Sequence, residues 1–345
     1  MNRSLLSLTS SELESWFAAR KQPKFRVKQF MKWLCTPGIT EFEQMTNLPK
    51  TLREALSAEF SLRSMRIVTV LGTEADPAEK FLLELEDGNR IEAVILHNEQ
   101  GQHTLCASTQ VGCAMHCAFC ASGLDGLVRN LTAGEILEQF LFASDLLHTR
   151  GQRLSHAVIM GMGEPTANLD ALFQALSIVT SDEGLGIGAR KITISTVGIP
   201  QGIERMAERE HPYHLAISLH APNDELRTQI MPSNKGIGLT AILRAADAYF
   251  EKTGRRVTYE YILIAGVNDS LENARELAGR LRGRNALVNL IPFNPVEGLP
   301  FKTPSANQVQ RFAQTLESLG IQIALRHRKG EKINAACGQL RRSKS

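Results

Sequence analysis

Apolar positions along this chain change their period twice. Through the first sixty residues they recur at helical spacing. "SSELESWFAARKQ" predicts a helix capped by Ser11, and "FRVKQFMKWLC" an amphipathic, basic one closed by "TPG". "LPKTLREALSAEF" predicts a third, with Pro49 in its first turn. Phe25, Phe30 and Trp33 are read as the small core of this unit, which spans residues 1–62. From 63 to 103 the apolar positions alternate. Asp87-Gly88 inside "KFLLELEDGNRIEAVIL" predicts a hairpin turn. From 104 to 330 short apolar runs alternate with amphipathic segments. The strands are "TLCASTQ", "SHAVIMGMG", "KITISTVG", "YHLAISLH", "RRVTYEYILIAG", "ALVNLIPFNP" and "IQIALRH". Helices are predicted between them: one opened by a Thr132/Glu135 capping box, one over 168–180, one from Pro200, one ended by Gly254, and two in "SLENARELAGRLRGR" and "SANQVQRFAQTLESLG". About six βα units in succession predict an α/β fold built on a parallel barrel, complete or partial, followed by a tail over 331–345.

Composition adds little to this, but charge adds something. A hydrophobic fraction of 43% with 22% charged residues is that of an ordinary globular chain, and there is no apolar run of membrane-spanning length. The opening "MNRSLLSLTSSELESW" lacks the pattern of a signal peptide, so a cytoplasmic protein is expected. The net charge of +3 is unevenly spread. Residues 1–66 hold eleven Lys and Arg against six Asp and Glu, and residues 322–345 hold seven against one. Basic ends on an acidic body fit a polyanion gripped at the periphery, although solvated termini would look the same.

Candidate chemistry gathers where the strands end. In a parallel barrel the working residues lie at the carboxyl edge, and that edge collects the cysteines of "CAMHCAFC", Gly161-Met162-Gly163-Glu164, Ser195, Ser218-Leu219-His220 and Asn294. Cys113, Cys117 and Cys120 are spaced C-x3-C-x2-C. A structural zinc site wants four ligands, and with no second C-x2-C pair His116 would have to complete it. A 4Fe–4S cluster is held by thiolates, so three would leave one iron open to a substrate. Cys35, Cys106 and Cys337 can each be read as a buried small hydrophobe.

The spacing at 113–120, with Phe119 before the last cysteine, resembles the signature of the radical S-adenosylmethionine superfamily. "LCASTQVGCAMHCAFC", "GLVRNLT", "MGMGEP", "ISTVGIP", "SLHAPND", "YILIAGVND", "LIPFNP" and "AACGQL" together resemble the RlmN/Cfr group of adenine-methylating radical enzymes, over almost the whole chain and nearer to its RlmN branch. The resemblance implies a partial (βα)6-type barrel behind a helical N-terminal domain. It also implies a 4Fe–4S cluster on Cys113, Cys117 and Cys120, and two S-adenosylmethionine molecules per turnover. Gly163, Glu164, Ser195, Ser218, Leu219, His220 and Asn294 would contact S-adenosylmethionine. Cys337 would accept a methyl group, Cys106 would release the product through a transient disulfide, and Glu92 would remove a proton. The Glu92–Cys106 spacing is one residue longer than the family pattern, and from the residues alone Glu92 could be the exposed face of a hairpin strand. The implied reaction is methylation of adenine carbon 2 in 23S rRNA (adenine 2503) and in some tRNAs (adenine 37), by a monomer fed with electrons by flavodoxin or ferredoxin. Carbon-8 methylation, or a non-catalytic iron–sulfur RNA-binding or redox-sensing role, are the alternatives. RNA phosphates would meet the basic N-terminal unit and Arg326, Arg328, Lys329, Lys332, Arg341 and Arg342.

Overall fold

The computed structural model describes residues 3–326 and 337–340. At the amino end, β1 (Arg3–Ser4) precedes three helices: α1 (Ser10–Ala19), α2 (Phe25–Leu34) and α3 (Lys50–Glu59). The unit closes with β2 (Phe60–Ser61), parallel to β1. Thr9, not Ser11, caps α1. Its hydroxyl accepts from the Glu12 N–H at 3.2 Å, and Glu12 accepts from the Thr9 N–H at 2.7 Å. Pro49 likewise sits at the cap of α3 and not inside it. Phe17, Phe30, Leu34, Leu52 and Leu56 fill the core. Phe25 does not join them: it stands at the first position of α2, 53% exposed, with the Arg26 guanidinium over its ring.

Four strands follow: β3 (Arg66–Leu71), β4 (Ala78–Glu84), β5 (Arg90–His97) and β6 (His103–Cys106). They pair antiparallel in sequence, and β4 turns into β5 through Asp87-Gly88, where the Gly88 N–H donates to the Leu85 carbonyl at 3.0 Å. A short separate ribbon comes next, β7 (Gln110–Gly112) with β8 (Leu127–Asn130).

The alternating region then runs α4 (Ala133–Thr149), β9 (Leu154–Ile159), α5 (Leu169–Thr180), β10 (Ile192–Thr196), α6 (Pro200–Ala207) and β11 (His214–Ser218). It continues with α7 (Asp224–Ile230), α8 (Leu239–Thr253), β12 (Val257–Leu263), α9 (Leu271–Leu281), β13 (Ala286–Pro292), α10 (Ala306–Ser318) and β14 (Gln322–Leu325). The predicted Thr132/Glu135 box opens α4, and Gly254 ends α8 in the left-handed conformation.

Ten strands form one sheet in the order β14-β13-β12-β11-β10-β9-β6-β5-β4-β3. Pairing is parallel from β6 to β14, so six helical crossovers cover one face. On that face Phe81 of β4 meets Phe142 of α4 edge-on at 4.9 Å. β14 and β3 do not pair, and the barrel is therefore partial, its inner face left as an open trough. No helix among the described residues is long and apolar enough to cross a membrane.

Candidate active site

The ribbon β7–β8 exists to present the loop between its strands. Gly112 turns the chain at φ 78°, where a Cβ would fall 1.9 Å from the Gly126 carbonyl oxygen, so only glycine lets the two sides of the loop approach. The Cys113 N–H donates to Gly126 O at 3.1 Å, and the Ala118 N–H to Ile230 O at 2.9 Å, tying the loop to the end of α7. Cys113, Cys117 and Cys120 all line a cavity of about 860 Å³ at the carboxyl edge of the sheet. Burial pushes Cys113 up to about 12 and Cys117 and Cys120 also upward. These thiols become ligands only when a metal charge offsets that burial. His116 is not directed at them, for its Nδ1 lies 3.1 Å from the Gly123 carbonyl oxygen in its own loop. Among the described residues no group of three or more His, Cys, Asp and Glu side chains converges on one ion position. His116 is thus not gathered with the three cysteines around one position among the described residues.

Gly161 to Glu164 form the next wall, just past β9. The turn is pinned from behind: the Gly161 N–H donates to Ala107 O at 3.0 Å, and the Met162 N–H to Ser108 Oγ at 2.9 Å. Gly163 stands at φ 106°, and a Cβ on it would lie 2.6 Å from the Gln110 side chain. Gln110 accepts from the Glu164 N–H at 2.8 Å. The buried Glu164 carboxylate accepts from Thr166 N–H, Thr166 hydroxyl and Val197 N–H at 3.0, 2.6 and 2.9 Å. Burial raises its pKa, and these donors oppose that rise.

Ser195 of β10 and Ser218 of β11 line the same cavity with hydroxyls 3.5 Å apart. His220 follows at φ 59°, its Nδ1 accepting from the Ile262 N–H at 3.0 Å. Burial, with Arg227 nearby, lowers His220 to about 3, so the ring is neutral. Phe119 meets it edge-on at 4.9 Å. Leu219 differs from its neighbours because its side chain is packed in the apolar core. Its backbone N–H donates to Glu260 O and its carbonyl accepts from Arg227, and it does not line the cavity.

The carboxyl-terminal segment closes the cavity. Gly338 O accepts from the Ala121 N–H at 2.8 Å, and Leu340 O accepts from the Ser122 hydroxyl at 2.6 Å. This latches residues 337–340 onto the cysteine loop and brings Cys337 into the cavity wall. Asn294 donates to the Cys337 carbonyl at 3.3 Å, while its buried Oδ1 has no partner among the described residues. Cys106, at the end of β6, is close enough to Cys337 for the two to act on each other electrostatically. Burial, then Cys337, pushes its thiol up to about 12. Glu92 is buried, not exposed. It lies on β5 two residues before Val94, the partner of Cys106, and pairs with Lys80 at 2.8 Å.

Two groups in the site, Arg227 and Glu260, have no role in the sequence reading, and a third, Arg326, has a different one there. Arg227 is fully enclosed and donates to Leu219 O, Val197 O, Ser218 O and Asn234 Oδ1, binding the ends of β10 and β11 together. Glu260 of β12 lines the cavity and accepts from Asn289 at 2.8 Å. Arg326, read from sequence as a phosphate contact, lines the cavity and acts electrostatically on Glu260, Cys106 and Cys337. It directly follows β14, at the rim of the trough. Arg328, Lys329, Lys332, Arg341 and Arg342 lie outside the described residues.

Comparison with known proteins agrees with this architecture. Residues 3–62 match the "Ribosomal RNA large subunit methyltransferase N-terminal domain" family, and residues 107–278 the "Radical SAM superfamily". A "Probable dual-specificity RNA methyltransferase RlmN" of Rhodopirellula baltica is 49% identical over 340 residues, 99% of this chain and 91% of that protein. Its namesake in Caldicellulosiruptor saccharolyticus is 46% identical over 342 residues, 99% of this chain and 97% of that protein. The crystal structure of a radical SAM methyltransferase from Sphaerobacter thermophilus superposes with a TM-score of 0.94 at 43% identity, covering 98% of this chain and 99% of that one. With this fold, this cavity and relatives of such identity over their full length, the chain belongs to the RlmN family of the radical S-adenosylmethionine superfamily.

Proposed function

We propose that this protein is an RNA methyltransferase that places a methyl group on carbon 2 of adenine. The substrates would be adenine 2503 of 23S rRNA and adenine 37 of some tRNAs, modified in the cytoplasm by a monomer. Family membership implies a 4Fe–4S cluster and S-adenosylmethionine, and the cavity fits both. Three thiols on one loop, one buried and two half-buried, suit a cluster with an open iron. The Asn294 Oδ1, partnerless among the described residues, and the close-packed turn at Gly163 suit a ligand rich in hydroxyl, amino and carboxylate groups.

When bound, these groups supply a 5′-deoxyadenosyl radical, a methyl donor and, through flavodoxin or ferredoxin, an electron. The chain's own residues account for the rest. Adenine carbon 2 is no nucleophile, so direct polar methylation is closed to it. Cys337 would take the methyl group on sulfur, lose a hydrogen atom from it, and join RNA through that carbon, the adduct's unpaired electron being given up to the cluster. Glu92 would remove the carbon-2 proton. Cys106 would then attack the Cys337 sulfur, forming a disulfide as the sulfur–carbon bond breaks, its electron pair passes to the base, and the released carbon takes up a proton to become the methyl group. Gly163, Glu164, Ser195, Ser218, His220 and Asn294 would hold S-adenosylmethionine, two molecules being consumed per turnover. The neutral His220 ring and the fixed Glu164 carboxylate serve as oriented polar groups, not as proton carriers.

The observation that carries this reading is the latch at 337–340, which sets Cys337 in one cavity with three further cysteines and near enough to Cys106 to act on it electrostatically. A redox sensor has no use for that pair. Anaerobic turnover with trideuteromethyl S-adenosylmethionine and an RNA substrate tests it. Two deuteriums are expected in the product methyl group, and digestion against synthetic 2-methyl and 8-methyl standards is expected to give the 2-isomer. Three deuteriums would exclude the route through Cys337.

A further inference from the structure

The hairpin that carries Glu92 carries a second charged group in the same trough. In the antiparallel pairing, Lys80 of β4 stands opposite Val94 of β5, and Val94 stands opposite Cys106 of β6. Directly opposed residues share a face, as do residues two apart on one strand. Lys80, Glu92 and Cys106 therefore occupy one face, the inner one. Phe81, packed on α4, and Glu79, bound to Arg150 and His97, belong to the other. Lys80 Nζ lies 2.8 Å from Glu92 Oε1, and the two side chains are only 9% and 8% exposed.

A buried ion pair is a poor way to stabilise a fold, since desolvation of both charges offsets their attraction. Its position here explains it better. The Glu92 backbone is fixed on both sides: its carbonyl accepts from the Ser108 hydroxyl at 2.6 Å, and its N–H faces Met162 Sδ at 3.4 Å. Those contacts belong to the strand end before the cysteine loop and to the Gly161–Glu164 turn. The Glu92 backbone is thus registered to two segments that border the cavity, and Lys80 pairs with its carboxylate.

We propose that Lys80 is a positioning residue for Glu92, its ammonium orienting the carboxylate and supplying the opposite charge that a buried proton acceptor needs beside the substrate adenine. This rests on the assignment of Glu92 as the base for carbon 2. The step is a proton transfer: an O–H bond forms on Glu92, the carbon-2 C–H bond breaks, and its electron pair stays on the ring. Among the described residues, Thr69 and Leu71 of β3, Leu82 of β4, Val94 of β5 and Val158 of β9 share this face and do not titrate. Glu84 and Arg90, two residues along β4 and β5, share it too but pair with each other at 3.0 Å, Arg66 also bonding Glu84. His156 lies two residues before Val158, its pKa lowered by burial, and at the other end come Cys106, then Cys337 and Arg326.

The test is single-turnover RNA methylation by anaerobic, cluster-loaded enzyme across a pH series, with 5′-deoxyadenosine measured alongside. Glu92→Gln is expected to form 5′-deoxyadenosine yet accumulate protein-bound RNA. In Lys80→Met the acid limb of the methylation profile is expected to move up by about 1–3 pH units, as on losing a close opposite charge. Lys80→Arg is expected to restore most of the wild-type profile. A Lys80→Met profile that superimposes on wild type, beside a blocked Glu92→Gln, overturns the role of Lys80 and leaves the base standing. Wild-type turnover by Glu92→Gln overturns the base itself. Should Lys80→Met fail to hold iron, Lys80→Gln replaces it: the same upward move is expected, and a wild-type profile overturns the role of Lys80 just as well.

Discussion

Gly163 has three constraints on one atom that it lacks. Its φ of 106° is strained for any residue with a Cβ, the missing Cβ would collide with Gln110, and Gln110 holds the next residue's N–H. Gly163→Ala is expected to cost about 1–3 kcal/mol in local strain. The turn can relieve it only by moving off the cavity wall. S-adenosylmethionine binding should weaken about tenfold or more for each 1.4 kcal/mol carried into the bound state, read by equilibrium dialysis at unchanged iron content. Wild-type affinity would mean that the turn does not meet the ligand. At this scale the sequence is legible where residue type alone carries chemistry, as for the three cysteines. It is not legible where pairing decides. Lys80 and Glu260 look like ordinary strand charges until strand register turns them inward, Arg326 reads only as a basic residue for RNA phosphates, and Phe25 looks like core until α2 is in place.

Helix α2 carries the charge that the amino-terminal reading singled out. Lys28 and Lys32 lie on α2, and Lys24 just before it, at intervals of four, and the exposed Phe25 ring has Arg26 over it at 5.1 Å. That stripe suits an RNA backbone with one base stacked on the aromatic edge. Reversing all three charges (Lys24→Glu, Lys28→Glu, Lys32→Glu) should weaken RNA binding. The slope of log affinity against log salt should fall by roughly 0.7–0.9 for each phosphate no longer neutralised. Filter binding at several salt concentrations checks this, and an unchanged slope would remove the stripe from the interface. Elements themselves are mostly visible in the sequence, because caps and glycine stops are local chemistry: the Thr132 box, the Gly254 stop and the Asp87-Gly88 turn all stand where the pattern sets them. The β7–β8 ribbon and the short α7 are not. Two strands of three and four residues bracketing a cysteine loop leave no periodicity to read.

Over the whole molecule, buried thiols set an alkaline limit. Cys35 and Cys106 are both pushed by burial to about 12 from an ordinary value near 9. Below about 9 both folded and unfolded chains keep these protons. As pH rises from there towards 12, the unfolded chain sheds them and the folded one does not, so stability falls. Urea midpoints of the metal-free protein are expected to drop across that window, and Cys35→Ala to lessen the drop. A flat profile would contradict the burial. The order of the sheet has a different kind of consequence. From β3 to β14, neighbours in the large sheet are neighbours in the chain, with only the β7–β8 ribbon set aside. Each strand can dock on one already in place, and each step closes a loop of a single βα unit. Growth along that order finishes the cysteine loop early and delivers Cys337 only after β14 has paired. Folding thereby becomes an assembly schedule, in which the pocket that would generate a radical is built before the atom meant to receive it.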